Sequence, residues 1–574
     1  MTSPAAPPFD AALPALADDA ALADDAVLPC DDALPLDDAT PPRDDAMLRF
    51  DDDAPLLSIP PGPPTNPVDQ TGAHEGAATG AALESAGQLV LPMPELLLRG
   101  ETRRVPRQRQ VFVNRHLRMA DIEWVGFDMD YTLAIYNQPE MDQLQIQATL
   151  PKMVERGYPA FLRDAQYDIN FPIRGLVIDK KLGHILKMDR YKVVQRGCHG
   201  LRELSREELD VLYERKRIRF STERYHWIDV LYALSEVAMY ATIVDEMERR
   251  GLQLDYAKLF RDVRECIDEA HRDFTVLEAV ASDYPRFVLR DPDLALTLHK
   301  WRSAGKKLFL LTNSRWEYTD RMMRYLLGDS LPEYPSWRHY FDAIGVAASK
   351  PAFFQERRPL VELEEASAAG RSRVFEGGNW HDLEKRLGTT GDRILYVGDH
   401  IYGDILRSKK ESAWRTAMII QEMTAEVLTL EANADSVARL ASLEDRRQRA
   451  EDEFRFWLQR YKDLSRQLET RPNGPAPLSR PQLGAEREGV RQTVDRLRST
   501  LLSLGNEIAA LEKATDRRHH PFWGPLLKEG YETSSFGHQV EEYACVYTSK
   551  VSNFLAYSPR HEFRSPRESM AHEL

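Results

Sequence analysis

Cysteine is scarce in this chain. Four occur in 574 residues, Cys30, Cys198, Cys266 and Cys545, and none stands at metal-ligand spacing from another. That excludes a disulfide-dense scaffold and a thiolate zinc site, and makes a reducing cytoplasm the expected location. No run of about eighteen uncharged apolar residues occurs, and no basic segment leads into an apolar one at the N-terminus, so neither membrane insertion nor secretion is expected. Positive charge is also in deficit: 76 Lys and Arg face 91 Asp and Glu, for a net charge of −15. No stretch that reads as folded is basic enough to grip a nucleic acid.

Lysine and glutamate are absent from residues 1–60, which instead hold fourteen Asp and, opposed only by Arg43 and Arg49, carry a charge of −12. Asp-Asp-Ala recurs there at 18, 24, 31, 37, 44 and 52 among Pro, Ala and Leu. Residues 1–100 thus offer too little apolar surface to offset the entropy of ordering, and are expected to form a disordered acidic tail. The alternative is a docking segment for a partner. The rest of the chain is close to neutral, and 43% hydrophobic content is ample for real cores.

Beyond the tail, apolar runs alternate with helical patterns. Residues 122–127 read as a buried strand ending on Phe127-Asp128-Met129-Asp130-Tyr131-Thr132-Leu133-Ala134. Residues 307–311 give a second strand, ending at Thr312-Asn313-Ser314, and 393–397 a third, ending at Gly398-Asp399-His400-Ile401-Tyr402-Gly403-Asp404. Before the second, Asp291 as cap and Pro292 in the first turn predict a helix running to Gly305. Strands that alternate with helices and carry polar motifs at their C-terminal ends predict an open, mostly parallel α/β sheet with its site along that edge. The roughly 170 residues between the first two motif strands are too many for one crossover and predict an inserted cap. Toward the C-terminus, two apolar series with 3-4 spacing, Phe454, Trp457, Tyr461, Leu464, Leu468 and then Val490, Val494, Leu497, Leu501, Leu504, Ile508, Leu511, flank Pro472, Pro475, Pro477 and Pro481. They predict a helical hairpin, folded on itself or used between subunits.

A phosphate monoester is itself anionic, so an enzyme that cleaves it must neutralise charge and hold a nucleophile in line. Asp128 suits the nucleophile. Asp130 can protonate the departing alkoxide and later deprotonate the water that hydrolyses the aspartyl phosphate. Asp128, Asp399 and the main-chain carbonyl of Asp130 would offer oxygen ligands to Mg²⁺, with Asp404 holding a water or orienting Lys350. Thr312, with the Asn313 backbone amide and Ser314, would bind the phosphoryl group, and Lys350, in Ser349-Lys350-Pro351, would add fixed positive charge. Each motif alone reads as readily as a turn or a solvated face; their order along the chain carries the case.

That order resembles the haloacid-dehalogenase superfamily. More closely, Val111-Phe112-Val113-Asn114-Arg115, the 127–134 motif, Phe171-Pro172-Ile173-Arg174-Gly175-Leu176-Val177, Lys350-Pro351-Ala352-Phe353-Phe354 and residues 396–410 are similar to the cytosolic purine 5′-nucleotidase family. The resemblance runs from about 105 to the end, is weakest over 425–520, and leaves the tail outside. It implies a Rossmann-like haloacid-dehalogenase core with an inserted cap, dependence on Mg²⁺, and hydrolysis of purine nucleoside monophosphates such as IMP and GMP, with phosphotransfer in some members. On this reading the core comprises 101–140 and 285–435, the cap 141–284, and the C-terminal hairpin and terminal helix packed on the core 436–574.

In that family an Arg and an Asp on a cap helix contact the base. Asp262-Val263-Arg264 and Asp268 match this stretch, His271 shares their helical face, and Tyr232 falls where an aromatic ring stacks on the purine. An intrahelical Arg264–Asp268 ion pair is the alternative. Two positions depart from the family pattern: a lysine expected shortly after His271 is Leu277, and at the nucleotide effector site Arg219 is kept while an Asn is Asp229. A carboxylate there would repel polyphosphate, so weak activation by ATP-like effectors is expected. The expected partner is a purine nucleoside monophosphate and the expected assembly a homo-oligomer. A phosphatase for another small ester, and a scaffold on a non-catalytic core, are the competing readings.

Overall fold

A computed structural model describes residues 105–213, 218, 222–328, 330–368, 372–470 and 479–566. The expected acidic tail, Arg219, and Pro472, Pro475 and Pro477 lie outside the described residues.

The central sheet is built from β1 (Phe112–Val113), β2 (Trp124–Phe127), β3 (Lys307–Leu311), β4 (Ala343–Val346), β5 (Leu360–Glu362), β6 (Arg373–Gly377), β7 (Ile394–Gly398), β8 (Arg415–Ile419) and β9 (Val546–Thr548). Their spatial order is β1-β9-β8-β7-β2-β3-β4-β6-β5. All neighbours pair in parallel except the two outermost, β1 on β9 and β5 on β6, which are antiparallel. The three motif strands predicted from sequence are the three adjacent central ones. Their register sets Phe127 level with both Leu310 and Val397, so their C-terminal ends stop side by side. Apart from the exposed Lys307 that opens β3, these strands are apolar and buried, as the interior of a parallel sheet requires. Gly126 leaves room for the neighbouring strand's side chain: a Cβ there would stand 2.0 Å from the Phe309 ring.

The inserted segment makes its own antiparallel sheet, ordered Arg202–Glu203, Val194–His199, His184–Met188, Leu176–Asp179, Tyr225–Ile228. Against it lie α2 (Leu234–Arg249) and α3 (Tyr256–Arg272), and α1 (Gln138–Glu155) packs on these two helices. The inner face of α3 buries Leu259, Phe260, Val263, Cys266, Ile267 and Ala270, spaced three and four apart. A buried polar chain crosses the sheet: Arg224 grips Asp179, which accepts from Tyr213 at 2.8 Å, and Tyr213 meets His184 Nδ1 at 2.8 Å.

The C-terminal hairpin consists of α4 (Ala434–Glu469) and α5 (Arg480–His519). It folds on itself, with Leu464, Val490 and Val494 in one cluster beside Phe454, Trp457 and Tyr461, and Leu443, Leu504 and Ile508 in another. Pro481, expected in the connection, instead belongs to the first turn of α5, where Ser479 and Gln482 form a capping box and a proline costs no hydrogen bond. Two further expectations shift. The helix expected from Asp291 starts at Leu294, because Asp291 folds into a turn that accepts the Asp293 amide at 3.1 Å. The C-terminal region, expected to be helical, also supplies β9, whose Val546 sits beside both Ala417 of β8 and Val113 of β1.

Candidate active site

Asp128 follows β2 directly, and its amide donates to the Val397 carbonyl at 2.9 Å, which ties the start of the acidic loop to β7. The loop then folds tightly on Met129, whose carbonyl accepts from Leu133 at 3.0 Å and Ala134 at 2.9 Å. Tyr131 takes a left-handed φ of 56° to make the turn. As a result Asp128 and Asp130 leave the strand with separate surroundings. Asp130 accepts from Tyr136 OH at 2.6 Å and Ser314 Oγ at 2.7 Å. Burial pushes its carboxyl up, and these two donors pull it partway back.

Asp128 meets the Lys350 ammonium at 2.9 Å, and the same ammonium meets Asp404 at 2.7 Å and the Tyr396 hydroxyl at 2.9 Å. Burial opposes the charge on Lys350, but Asp128 and Asp404 outweigh it and hold the ammonium protonated. One carboxylate oxygen from each of Asp128, Asp399 and Asp404 lies within 4.8 Å of the others. Burial, reinforced by Asp404, pushes the Asp399 carboxyl up to about 7. Three buried carboxylates thus lie together, two of them, Asp128 and Asp404, on one ammonium. Closely set hard oxygens are the donor chemistry that Mg²⁺ takes, so the residues present fit that ion.

Thr312 ends β3, its amide on the Gly345 carbonyl at 3.0 Å and its hydroxyl accepting from the Ser314 amide at 3.0 Å. The Asn313 side chain is committed to the Lys350 main chain, donating to its carbonyl at 2.9 Å and accepting its amide at 2.6 Å. That leaves the Asn313 backbone amide, rather than its side chain, for the phosphate contact expected here. The Ser314 hydroxyl is likewise spent on Asp130. Asp404 reaches its place because residue 398 is glycine: a Cβ there would lie 2.5 Å from Asp404 Oδ2.

The cap residues form a second group. Arg264 and Asp268 do not make the intrahelical ion pair. Arg264 Nη1 instead meets His226 Nε2 at 2.9 Å, and its Nε lies 3.7 Å from Glu236. Tyr232 packs edge-on against His271 with ring centres 4.6 Å apart. Burial holds His271 neutral, its pKa pushed down to about 4, and its Nε2 has no hydrogen-bond partner among the described residues. No hydrogen bond among the described residues joins this group to the carboxylates. Leu277 packs on the main apolar cluster.

Several neighbours of the site carry no expectation from sequence. His400 Nε2 lies 3.5 Å from Asp229, and although burial disfavours the charge, that carboxylate raises His400 to about 9. Asp229, expected at an effector site, therefore faces the residue beside Asp399. Arg174 is fully buried, forks onto Glu422 at 2.8 and 2.6 Å, and donates to the Asp399 carbonyl at 3.1 Å. Its signal was the Phe171–Gly175 motif, which marks a conspicuous segment without naming its partner 225 residues away.

The sequence profile of the 5′ nucleotidase family matches residues 111–574. A 5′-nucleotidase domain-containing protein of Dictyostelium discoideum is 27% identical over 483 residues, covering 81% of this chain and 75% of that protein. The 5′-nucleotidase domain-containing protein 2 of Rattus norvegicus is 29% identical over 337 residues, covering 55% of this chain and 60% of that protein. Among solved structures, a predicted phosphoglycolate phosphatase from Haemophilus somnus aligns with 52% of this chain and 86% of its own, at 13% identity and a TM-score of 0.23. Acidic loops converging at the C-terminal edge of a parallel sheet, in a chain that matches this profile over most of its length, place it in the 5′ nucleotidase family of phosphoric monoester hydrolases.

Proposed function

We propose that this protein hydrolyses purine nucleoside 5′-monophosphates of the IMP and GMP type, with Mg²⁺, through an aspartyl phosphate on Asp128. The observation that carries the reading is the convergence of Asp128, Asp399 and Asp404 within 4.8 Å, with the Lys350 ammonium on Asp128 and Asp404. When bound by Asp128, Asp399 and the Asp130 carbonyl, with Asp404 behind them, Mg²⁺ supplies a Lewis acid that offsets the charge of the ester. Lys350 screens Asp128, so that an anionic ester can approach an anionic nucleophile. Asp128 forms its bond to phosphorus as the ester P–O bond breaks. Asp130, raised by burial, gives its proton to the leaving alkoxide and then takes one from the water that cleaves the aspartyl phosphate. Thr312, the Asn313 amide and Ser314 line the end of β3 where the phosphoryl oxygens would rest.

In the cap, Tyr232, Arg264, Asp268 and His271 would receive the base. The absence of an Arg264–Asp268 pair and the buried, unpartnered His271 Nε2 support a binding role over a purely structural one. The same aspartyl phosphate could be passed to a nucleoside acceptor, so phosphotransfer belongs to the proposal, as do a cytoplasmic location, homo-oligomerisation, a partner for the acidic tail, and the division into core, cap and C-terminal region. Asp128→Asn should abolish phosphate release with the fold intact; retained turnover would eliminate the assigned role.

Leu277 favours a second reading, a phosphatase for another small ester, because it puts an apolar side chain where the family has a cation. A panel of phosphomonoesters separates the two. The nucleotidase reading expects IMP or GMP to exceed sugar phosphates by far more than about tenfold in kcat/KM.

A further inference from the structure

One dipeptide after β8 is tied to both acidic loops, to the first directly and to the second through Arg174. Gln421 Nε2 donates to the Tyr131 carbonyl at 2.9 Å, next to Asp130. Glu422 accepts both prongs of Arg174, whose remaining nitrogen reaches the Asp399 carbonyl at 3.1 Å. The guanidinium is planar, so two bonds to Glu422 fix the direction of the third. Its place is further set by the Phe536 ring, whose centre lies 5.1 Å away. The chain leaves Arg174 through Gly175 at φ 86°, where a Cβ would stand 2.5 Å from Phe536 Cβ. Among the described residues Glu422 is the ion-pair partner of Arg174. The bond to a main-chain carbonyl adds nothing to that ion pair, but it does hold the segment that bears the Asp399 carboxylate.

We propose that Arg174, oriented by Glu422, and Gln421 are positioning residues that set the spacing between the Asp128–Asp130 loop and Asp399, and through it the divalent-cation affinity of the site. This rests on the Mg²⁺ reading above. The brace meets the two loops through main-chain carbonyls, and the Arg174 charge also draws the Asp399 carboxyl down against burial.

The test replaces the ion pair as a unit. Arg174→Met with Glu422→Met removes both members of the ion pair, and exchange of such a pair for apolar side chains is often neutral for folding. Three quantities are read: the melting temperature, amide hydrogen exchange over residues 399–404, and Mn²⁺ affinity from the paramagnetic resonance of the free ion. The expected result is a wild-type melting temperature, faster exchange, and Mn²⁺ affinity lower by at least about tenfold, the scale of losses when the groups supporting metal ligands are removed. Activity should return at high Mg²⁺ with substrate KM unchanged. Wild-type exchange and wild-type Mn²⁺ affinity in the double variant would overturn the proposal. Should that variant fail to fold, Arg174→Lys, which keeps the charge and loses the fork, carries the same two expectations. If the wild-type protein binds no Mn²⁺, the metal reading of the site falls, while the exchange measurement still decides whether Arg174 holds Asp399.

Discussion

At the scale of single residues, the site depends on small side chains as much as on charged ones. Gly398 clears the space that Asp404 occupies, so Gly398→Ala should push Asp404 off Lys350 and the carboxylate group apart. A displacement of about 1 Å at a reacting centre can cost about a hundredfold in rate. We therefore expect kcat to fall by about that factor, with circular dichroism unchanged; a variant with wild-type kcat would show that Asp404 is not held by this contact. Lys350→Met should be worse, since it removes the ammonium that Asp128 and Asp404 share and leaves two buried carboxylates facing each other. The residues that bear charge were legible in the sequence, because an acid at the end of an apolar run is a local pattern. Arg174, Asp229 and His400 were not legible as partners, because their contacts exist only once strands far apart in the chain have been laid side by side.

At the scale of elements, the cap sheet holds His184 and His226 uncharged by burial. Burial pushes His184 down to about 4, helped by His199, whose ring lies 5.2 Å away on the adjacent strand. Its folded pKa is thus below the unfolded value of about 6.5, and the unfolded chain binds more protons in between. The stabilising contribution is complete above about pH 6.5 and is lost as pH falls toward 4, by an amount of order 3 kcal/mol for this one group. His271 adds a loss of the same sign. Urea unfolding between pH 4 and 7 should show stability rising with pH, and His184→Phe should flatten the slope; an unchanged slope would contradict the burial argument. In the hairpin, Leu504→Ala opens a cavity beside Leu443 and Ile508, and should destabilise α4 and α5 by about 2–5 kcal/mol while leaving nucleotide hydrolysis in place. Proteolytic sensitivity confined to residues 434–519 would be the sign of it.

At the scale of the whole molecule, a divalent ion held only by the folded chain must stabilise it. Mg²⁺ at about a hundred times its Kd should add about 2.7 kcal/mol to the unfolding free energy, and Asp399→Asn should remove the increment. A chain lacking residues 1–100 should keep its activity, since the motifs of the site all lie beyond that segment. The sequence disclosed the parallel core because three apolar runs each end on a polar motif, and it disclosed the hairpin because its apolar period is long and regular. It did not disclose β9, three residues whose partners lie more than a hundred positions away in β8 and over four hundred away in β1. Nor did it resolve the cap into five strands, since two are buried along their length and the other three also lack the alternation that marks a half-exposed strand.

The central sheet ends on both sides in very short antiparallel strands, two residues in β1 and three in β5. Neither rim presents the long ladder of open amides and carbonyls on which a foreign strand could dock. Self-association through continued main-chain pairing, the usual route from a flat parallel sheet to fibres, is thereby blocked at the rims of this sheet, and any higher assembly built on it has to be made by side chains.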